Sequence, residues 1–207
     1  MTVGPDREPR RIVVAVTGAS GALYAVRLLK ACLELGLRIE LVVSDYGRRL
    51  LIDECGLNLK VEELGAWLDR TYGPSARPGV VQLHAVHDLA DSLASGSQSW
   101  DAMVVVPCSM KTLSGVAHGA STNLIERAAD VTLKEGRSLV LVPRECPLSL
   151  IHLENLTRAA RAGARIVPAM PAFYFGPRGF DDLADFVAGR VLAVLGLPHT
   201  LYAPWEG

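Results

Sequence analysis

The chain of 207 residues is poor in aromatics, at 6%, and almost without net charge, with 21 Lys and Arg against 22 Asp and Glu. A balance of −1 with no basic run argues against a nucleic-acid surface, which needs a concentrated positive field. Cysteine is sparse, and Cys32, Cys55, Cys108 and Cys146 stand singly. With no CxxC pair and no histidine at ligand spacing, neither a disulfide framework nor a metal site is expected. No apolar run reaches the ~18 residues of a membrane helix. The opening MTVGPDREPRR is charged where a secretory signal would be hydrophobic. The expectation is a soluble cytoplasmic protein that engages no membrane, with residues 1–10 a flexible tail and 11–207 a single domain. Apolar residues are plentiful, at 50%, enough to bury a core and to exclude disorder.

From Arg11 onward, short apolar β-branched runs alternate with segments of helical period. The runs at Ile12 to Val16, Arg38 to Val43, Asp101 to Pro107 and Ser138 to Pro143 read as strands covered on both faces. Leu23, Val26, Leu29 and Leu33 mark a helix ending at Gly36, and Ser44 caps a second one. Further helices are expected at Met110 to His118, Asn123 to Glu135, the segment ending at Gly163, and the closing FDDLADFVAGRVLAVLG, with a short strand at ARIVP. The stretch from Asn58 to Ser99 is the least regular, with a weak strand near Val80 to Leu83 and a short helix near Leu89 to Ala94. This alternation predicts an α/β fold, a mainly parallel sheet with helices on both faces.

In such a sheet ligands bind beyond the carboxyl ends of the strands. Three of those ends are unusual: Thr17-Gly18-Ala19-Ser20-Gly21, Pro107-Cys108-Ser109-Met110-Lys111-Thr112 and Pro143-Arg144-Glu145-Cys146-Pro147. The first is a small-residue turn whose amides and Ser20 hydroxyl could hold a phosphate at a helix start, although a plain tight turn reads equally well. It matches neither GxGxxG nor a P-loop. The second adds the hydroxyls of Ser109 and Thr112 and the cation of Lys111, and together the two describe a pocket for a phosphorylated ligand. Arg127 and Lys134 lie two turns apart on one predicted helix and can face the same way. The competing reading is a solvated ladder of Glu126, Asp130 and Lys134 at i,i+4 steps. Cys108 and Cys146 have no evident base nearby, and His84 and His87 form an HxxH without a third ligand. His118 and His152 read as ordinary helix histidines.

TGASGALYAVRLL, VVVPCSMKTLSGVAHG, ERAADVTLKE, LVLVPRECPLSLIHLENL, PAFYF and GRVLAVLG, in this order from Ile12 to Trp205, resemble the UbiX-type flavin prenyltransferases. The resemblance implies a Rossmann-like, flavodoxin-related three-layer sandwich, assembled as a homo-oligomer, a dodecamer, with active sites at subunit interfaces. It implies transfer of a dimethylallyl group from dimethylallyl phosphate to N5 and C6 of reduced FMN, without a metal. The prenylated FMN would pass to a UbiD-type decarboxylase.

Carried over by motif, Gly18, Ala19, Ser20, Ser44, Ser109, Met110, Lys111, Thr112 and Arg144 would hold FMN. Tyr174, Arg190 and Trp205 would hold the allylic phosphate. Lys134, Glu145 and Arg127 would act in catalysis beside the leaving phosphate. The chain departs from the pattern at Gln98, Thr122, Cys146, Phe175 and Gly176. Two other readings stay open: a related flavin-dependent cysteine decarboxylase, which shares the flavin-binding architecture, and a non-catalytic FMN-binding partner of a decarboxylase, which the changes at Gln98, Phe175 and Gly176 motivate.

Overall fold

A computed structural model describes residues 10–74, 79–203 and 205, so all of the expected tail except Arg10 lies outside the described residues. The chain runs β1 (Arg11–Val16), α1 (Ala22–Glu34), β2 (Arg38–Val43), α2 (Asp45–Cys55), α3 (Leu64–Tyr72) and β3 (Val80–His84). It continues through β4 (Ala102–Cys108), α4 (Met110–His118), α5 (Leu124–Lys134), β5 (Ser138–Pro143), α6 (Leu150–Arg161), β6 (Arg165–Ile166) and α7 (Phe180–Val194). The strands pair in parallel in the order β3-β2-β1-β4-β5-β6. This is the strand order of the Rossmann sheet, and it reverses direction between β1 and β4, where such folds open a crevice.

Each central strand feeds two cores because successive side chains point to opposite faces. Ile12, Val14 and Val16 pack with α1, α3 and α7, whereas Val13 and Ala15 pack with α4, α5 and α6. Every side chain of β4 is buried, which accounts for its continuous apolar run. Burying each Val, Ile or Leu contributes roughly 1.5–3 kcal/mol, and strands and helices share that hydrophobic stabilisation.

Polar side chains cap α2, α4 and α5, Ser44 among them as the sequence suggests. Ser44 Oγ accepts from Gly47 N at 3.0 Å to open α2, Ser109 Oγ from Thr112 N at 3.3 Å to open α4, and Asn123 Oδ1 from Glu126 N at 3.1 Å to open α5. Two expectations are corrected. The irregular stretch contains α3, held by the buried Leu64, Trp67 and Leu68. The short helix expected over Leu89 to Ala94 is a single 3-10 turn, Ser92–Ala94, capped by Asp91. Among the described residues no helix is long and apolar enough to cross a membrane.

Candidate functional site at the strand ends

Thr17 joins the two loops at the switch point. Fully buried after β1, its hydroxyl donates to the Pro107 carbonyl at 2.7 Å and accepts from Ser109 N at 2.8 Å. The small-residue turn and the start of α4 are thereby locked together across the crevice. Gly18 has no room for a side chain, because a Cβ there would lie 2.6 Å from Tyr46 Cβ. Gly21 adopts φ 113°, a left-handed geometry that glycine enters without strain.

The N-terminus of α1 is not a free phosphate cradle, a correction to the expectation for its amides. Glu54 Oε2, from the far end of α2, accepts from Gly21 N at 2.8 Å and from Ala22 N at 2.7 Å. The chain supplies the anion that the helix dipole favours. What remains outward is the exposed Ser20 and the guanidinium of Arg144, whose Nε donates to the Ser20 carbonyl at 2.8 Å. The terminal nitrogens of Arg144 have no partner among the described residues. Glu145 is exposed beside it and accepts from Cys146 N at 3.0 Å.

Lys111, expected to face the ligand, pairs at 2.7 Å with Glu126, which is 2% exposed. Thr122 completes that carboxylate's shell, donating from N at 2.9 Å and from Oγ1 at 2.6 Å. Burial works to raise the Glu126 pKa, but the hydrogen bonds from Lys111 and Thr122 outweigh it and hold the carboxyl below its usual range. The ladder of Glu126, Asp130 and Lys134 does not form. Glu126 lies on the buried stripe facing α4, Asp130 pairs with Arg127 at 2.8 Å, and Lys134 pairs with Glu135 at 2.6 Å.

The candidate residues fall into three groups within one chain. Gly18, Ala19, Ser20, Ser44, Ser109, Met110, Thr112, Arg144 and Glu145 follow the carboxyl ends of β1, β2, β4 and β5. Tyr174 and Trp205 meet edge to face at 5.3 Å, and Tyr174 also packs on Phe186 of α7. The departure Phe175 stacks on the same Phe186 at 5.5 Å, so it extends this aromatic cluster. Arg190, exposed on α7, lies close enough to His199 to lower its pKa, after the larger effect of burial. Arg127 and Lys134 form the third group, on α5. Lys134 sits just before β5 begins at Ser138, whereas Arg144 follows its end, so on the order of 20 Å of strand separates them.

The histidines of the HxxH diverge. His84 is buried between Glu40 and Asp91, while His87 turns outward to Asp45 at 3.0 Å. Cys108 is sealed in the core, where burial pushes its thiol up to about 12, and Cys146 is exposed. Sequence reasoning missed Glu54 and Glu40. A lone acid inside the apolar strand RIELVV was the visible signal for Glu40, whereas nothing in its spacing marks Glu54.

A doubly wound parallel sheet with a bare turn, hydroxyls and an outward guanidinium at its switch point defines a protein built to hold a nucleotide-like ligand such as a flavin. A family model described as Flavoprotein matches residues 2–192. The flavin prenyltransferase UbiX of Alkalihalophilus pseudofirmus is 44% identical over 205 residues, covering 97% of this chain and 98% of the relative. The crystal structure of AnUbiX in complex with FMN and dimethylallyl pyrophosphate matches with a TM-score of 0.87 at 40% identity, over 97% of this chain and 99% of that one. A dodecameric FMN-dependent UbiX-like decarboxylase from Escherichia coli O157:H7 matches at 0.85 and 41% identity, over 95% and 100%. The chain belongs to the flavoprotein family and, within it, to the UbiX flavin prenyltransferases.

Proposed function

We propose that the protein transfers a dimethylallyl group from dimethylallyl phosphate to reduced FMN, as a single flavin-binding domain over residues 11–207. The observation that carries this reading is the junction at the switch point, where Thr17 ties the Ser20 turn to Ser109 and Arg144 projects from the next strand end. Its outward groups suit FMN: Ser20 is exposed, Met110 at the start of α4 is half-buried, and Arg144 keeps its terminal nitrogens outward. Reduced FMN supplies the nucleophilic N5 and C6 positions that accept the prenyl group. Arg144 would bond both flavin and phosphate, with charge-assisted hydrogen bonds to each.

Departure of the allylic phosphate concentrates negative charge on oxygen and leaves a cation-like prenyl fragment. Arg127, Lys134 and Arg190 stabilise the leaving oxygens as their charge grows, and Tyr174 and Trp205 offer π faces that tolerate the fragment. Glu145 moves a proton at its carboxylate, which is exposed and accepts only from its neighbour Cys146 N among the described residues. Because Lys134 and Arg144 are too far apart to converge within one chain, the complete pocket combines residues of neighbouring copies. A homo-oligomer follows, and we assign it the dodecameric form of the Escherichia coli relative. A UbiD-type decarboxylase is the proposed recipient of the product, and the cytoplasm the proposed compartment.

Anaerobic incubation with reduced FMN and dimethylallyl phosphate, followed by mass spectrometry of the extracted flavin, tests the reading. The expected result is a flavin heavier by one dimethylallyl unit. Recovery of unmodified FMN alone would overturn it. A folded, FMN-bound Lys134→Ala variant that still supported a partner decarboxylase fully would favour the non-catalytic reading instead.

A further inference from the structure

The segment from Ala85 to Trp100 leaves the end of β3, crosses the α5 face of the sheet and enters β4. It is tied to α5 and to the turn that follows it. The Ala94 carbonyl accepts from Arg127 Nε at 3.0 Å, and the Gly96 carbonyl accepts from Arg137 Nη2 at 3.2 Å. A Cβ on Gly96 would run into Glu135 Oε1 and lie 2.8 Å from Lys134 Nζ, so the bare backbone here leaves the space that the Lys134–Glu135 pair occupies. Trp100 Nε1 donates to Thr132 Oγ1 at 3.1 Å. Two residues assigned above to the leaving phosphate, Arg127 and Lys134, therefore take their positions partly from this segment.

One ionisable group pins the other side of the segment to the sheet. His84 Nε2 lies 2.7 Å from Glu40 Oε2 on β2, and His84 Nδ1 lies 2.7 Å from Asp91 Oδ2. The other oxygen of Asp91 accepts from Leu93 N at 2.8 Å and so caps the turn that presents the Ala94 carbonyl. Glu40, fully buried, also receives Arg11 Nε from β1 at 2.6 Å and Arg38 Nε at 3.2 Å. Arg11 in turn holds the Ser99 carbonyl at 3.2 Å and, through its backbone N–H, Asp101 at 2.8 Å. The charged groups around the imidazole are thus Glu40 and Arg38 from β2, Arg11 from β1, Asp91 from the segment and, beyond the Asp91 turn, Arg127 from α5.

We propose that His84 is a positioning residue for the phosphate end of the prenyl-transfer site: as an imidazolium bridging Glu40 and Asp91 it holds the segment, and through it Arg127 and Lys134, in place. The inference rests on the catalytic reading of those two side chains. Two carboxylates 2.7 Å from the two ring nitrogens require two N–H donors, and only the charged ring has both. Losing one proton turns a donor into a lone pair facing an anion, so that contact must open. Glu40 is buried and keeps its arginines, so Asp91, nearer solvent, is the partner that moves, and its turn loses its cap.

The direction of the titration agrees. The hydrogen bond to Glu40 raises the His84 pKa above the usual histidine range, against burial, and Asp91 raises it further. Burial would raise the Glu40 pKa, but His84 and Arg11 hold it at about 2. A raised histidine contributes stability that is complete below its unfolded pKa of 6.5 and is lost as pH rises through the higher folded value. A lowered carboxylate contributes stability that is complete above 4.5 and is lost as pH falls towards about 2. The bridge is intact between these limits and fails on the alkaline side at His84.

Hydrogen–deuterium exchange of the peptide spanning residues 85–98, corrected for the intrinsic pH dependence of exchange, reads the segment directly. In the wild-type protein its protection should fall by about tenfold as pH rises past the His84 titration, the size expected for losing one charge-assisted hydrogen bond. His84→Gln, with one donor group in place of two, should show the low protection at every pH, as should Asp91→Asn. In prenyl transfer, the KM for dimethylallyl phosphate should rise over the same pH range in the wild type while the KM for FMN stays level. His84→Gln should start from the raised KM and lose the pH dependence. A segment equally protected across pH in the wild type overturns the proposal, as does a folded His84→Gln protein that keeps the wild-type pH profile. If the wild type prenylates no flavin, the proposed function fails and the exchange measurement alone decides the role of His84.

Discussion

Replacing Thr17 by valine tests the junction that joins the two loops at the switch point. The substitution keeps the shape of a fully buried side chain and deletes one hydroxyl, which donates to the Pro107 carbonyl and accepts from Ser109 N. Pro107 keeps a partner in the backbone N–H of Thr17 at 3.3 Å, so the unsatisfied group is the Ser109 N–H. Leaving such a donor without a partner costs about 1–3 kcal/mol. At about 2–4 °C per kcal/mol for a chain of this size, Tm should drop by about 2–12 °C. FMN binding should weaken as well, because the α4 start would no longer be fixed against the Ser20 turn. Differential scanning calorimetry and FMN titration measure the two effects, and Thr17→Ser, which retains the hydroxyl, should bind FMN as the parent does. A valine variant with both the parental Tm and the parental FMN affinity would refute the clamp.

Two further substitutions probe other parts of the site. Arg144→Ala should weaken FMN and dimethylallyl phosphate together, each by about ten- to a hundredfold, since charged hydrogen bonds contribute roughly 1.5–3 kcal/mol apiece; unchanged titrations for both ligands would contradict its placement. Gly115→Ala would put a Cβ 2.4 Å from the Glu126 carboxyl carbon, so overpacking of about 1–3 kcal/mol should exceed the helix gain of about 1 kcal/mol and lower the urea midpoint. A variant more stable than the parent would show that Glu126 yields without cost.

The parts of the molecule legible in the sequence are those whose signal is local. β5 was expected from Ser138 to Pro143 and is found there, because a strand buried on both faces is written as an unbroken apolar run. The loops at the switch point were legible because small and hydroxyl residues follow such runs directly. α3 was missed because only Leu64, Trp67 and Leu68 form its buried face and no side chain caps it. The carboxylates that organise the site were missed for a different reason. Glu54 reaches Gly21 across 33 positions and Glu40 reaches His84 across 44, whereas charge patterning along one helix reports only neighbours three or four residues apart. Lys111 illustrates the same limit: its position at a helix start suggested a ligand contact, and its partner, Glu126, belongs to the next helix.

The length of β5 has a consequence for how activity is shared among copies. If the proposed roles hold, a chain that carries its switch-point loops beyond one end of that strand and Lys134 before the other would own two incomplete half-sites and no whole one. On the proposed reading each copy would be donor to one neighbour and recipient from another, and catalytic competence would belong to the assembly as a ring belongs to its links. A chain disabled at Arg144 still carries a sound Lys134, and one disabled at Lys134 a sound Arg144. Assemblies built from both kinds together would regain pairings that neither forms alone.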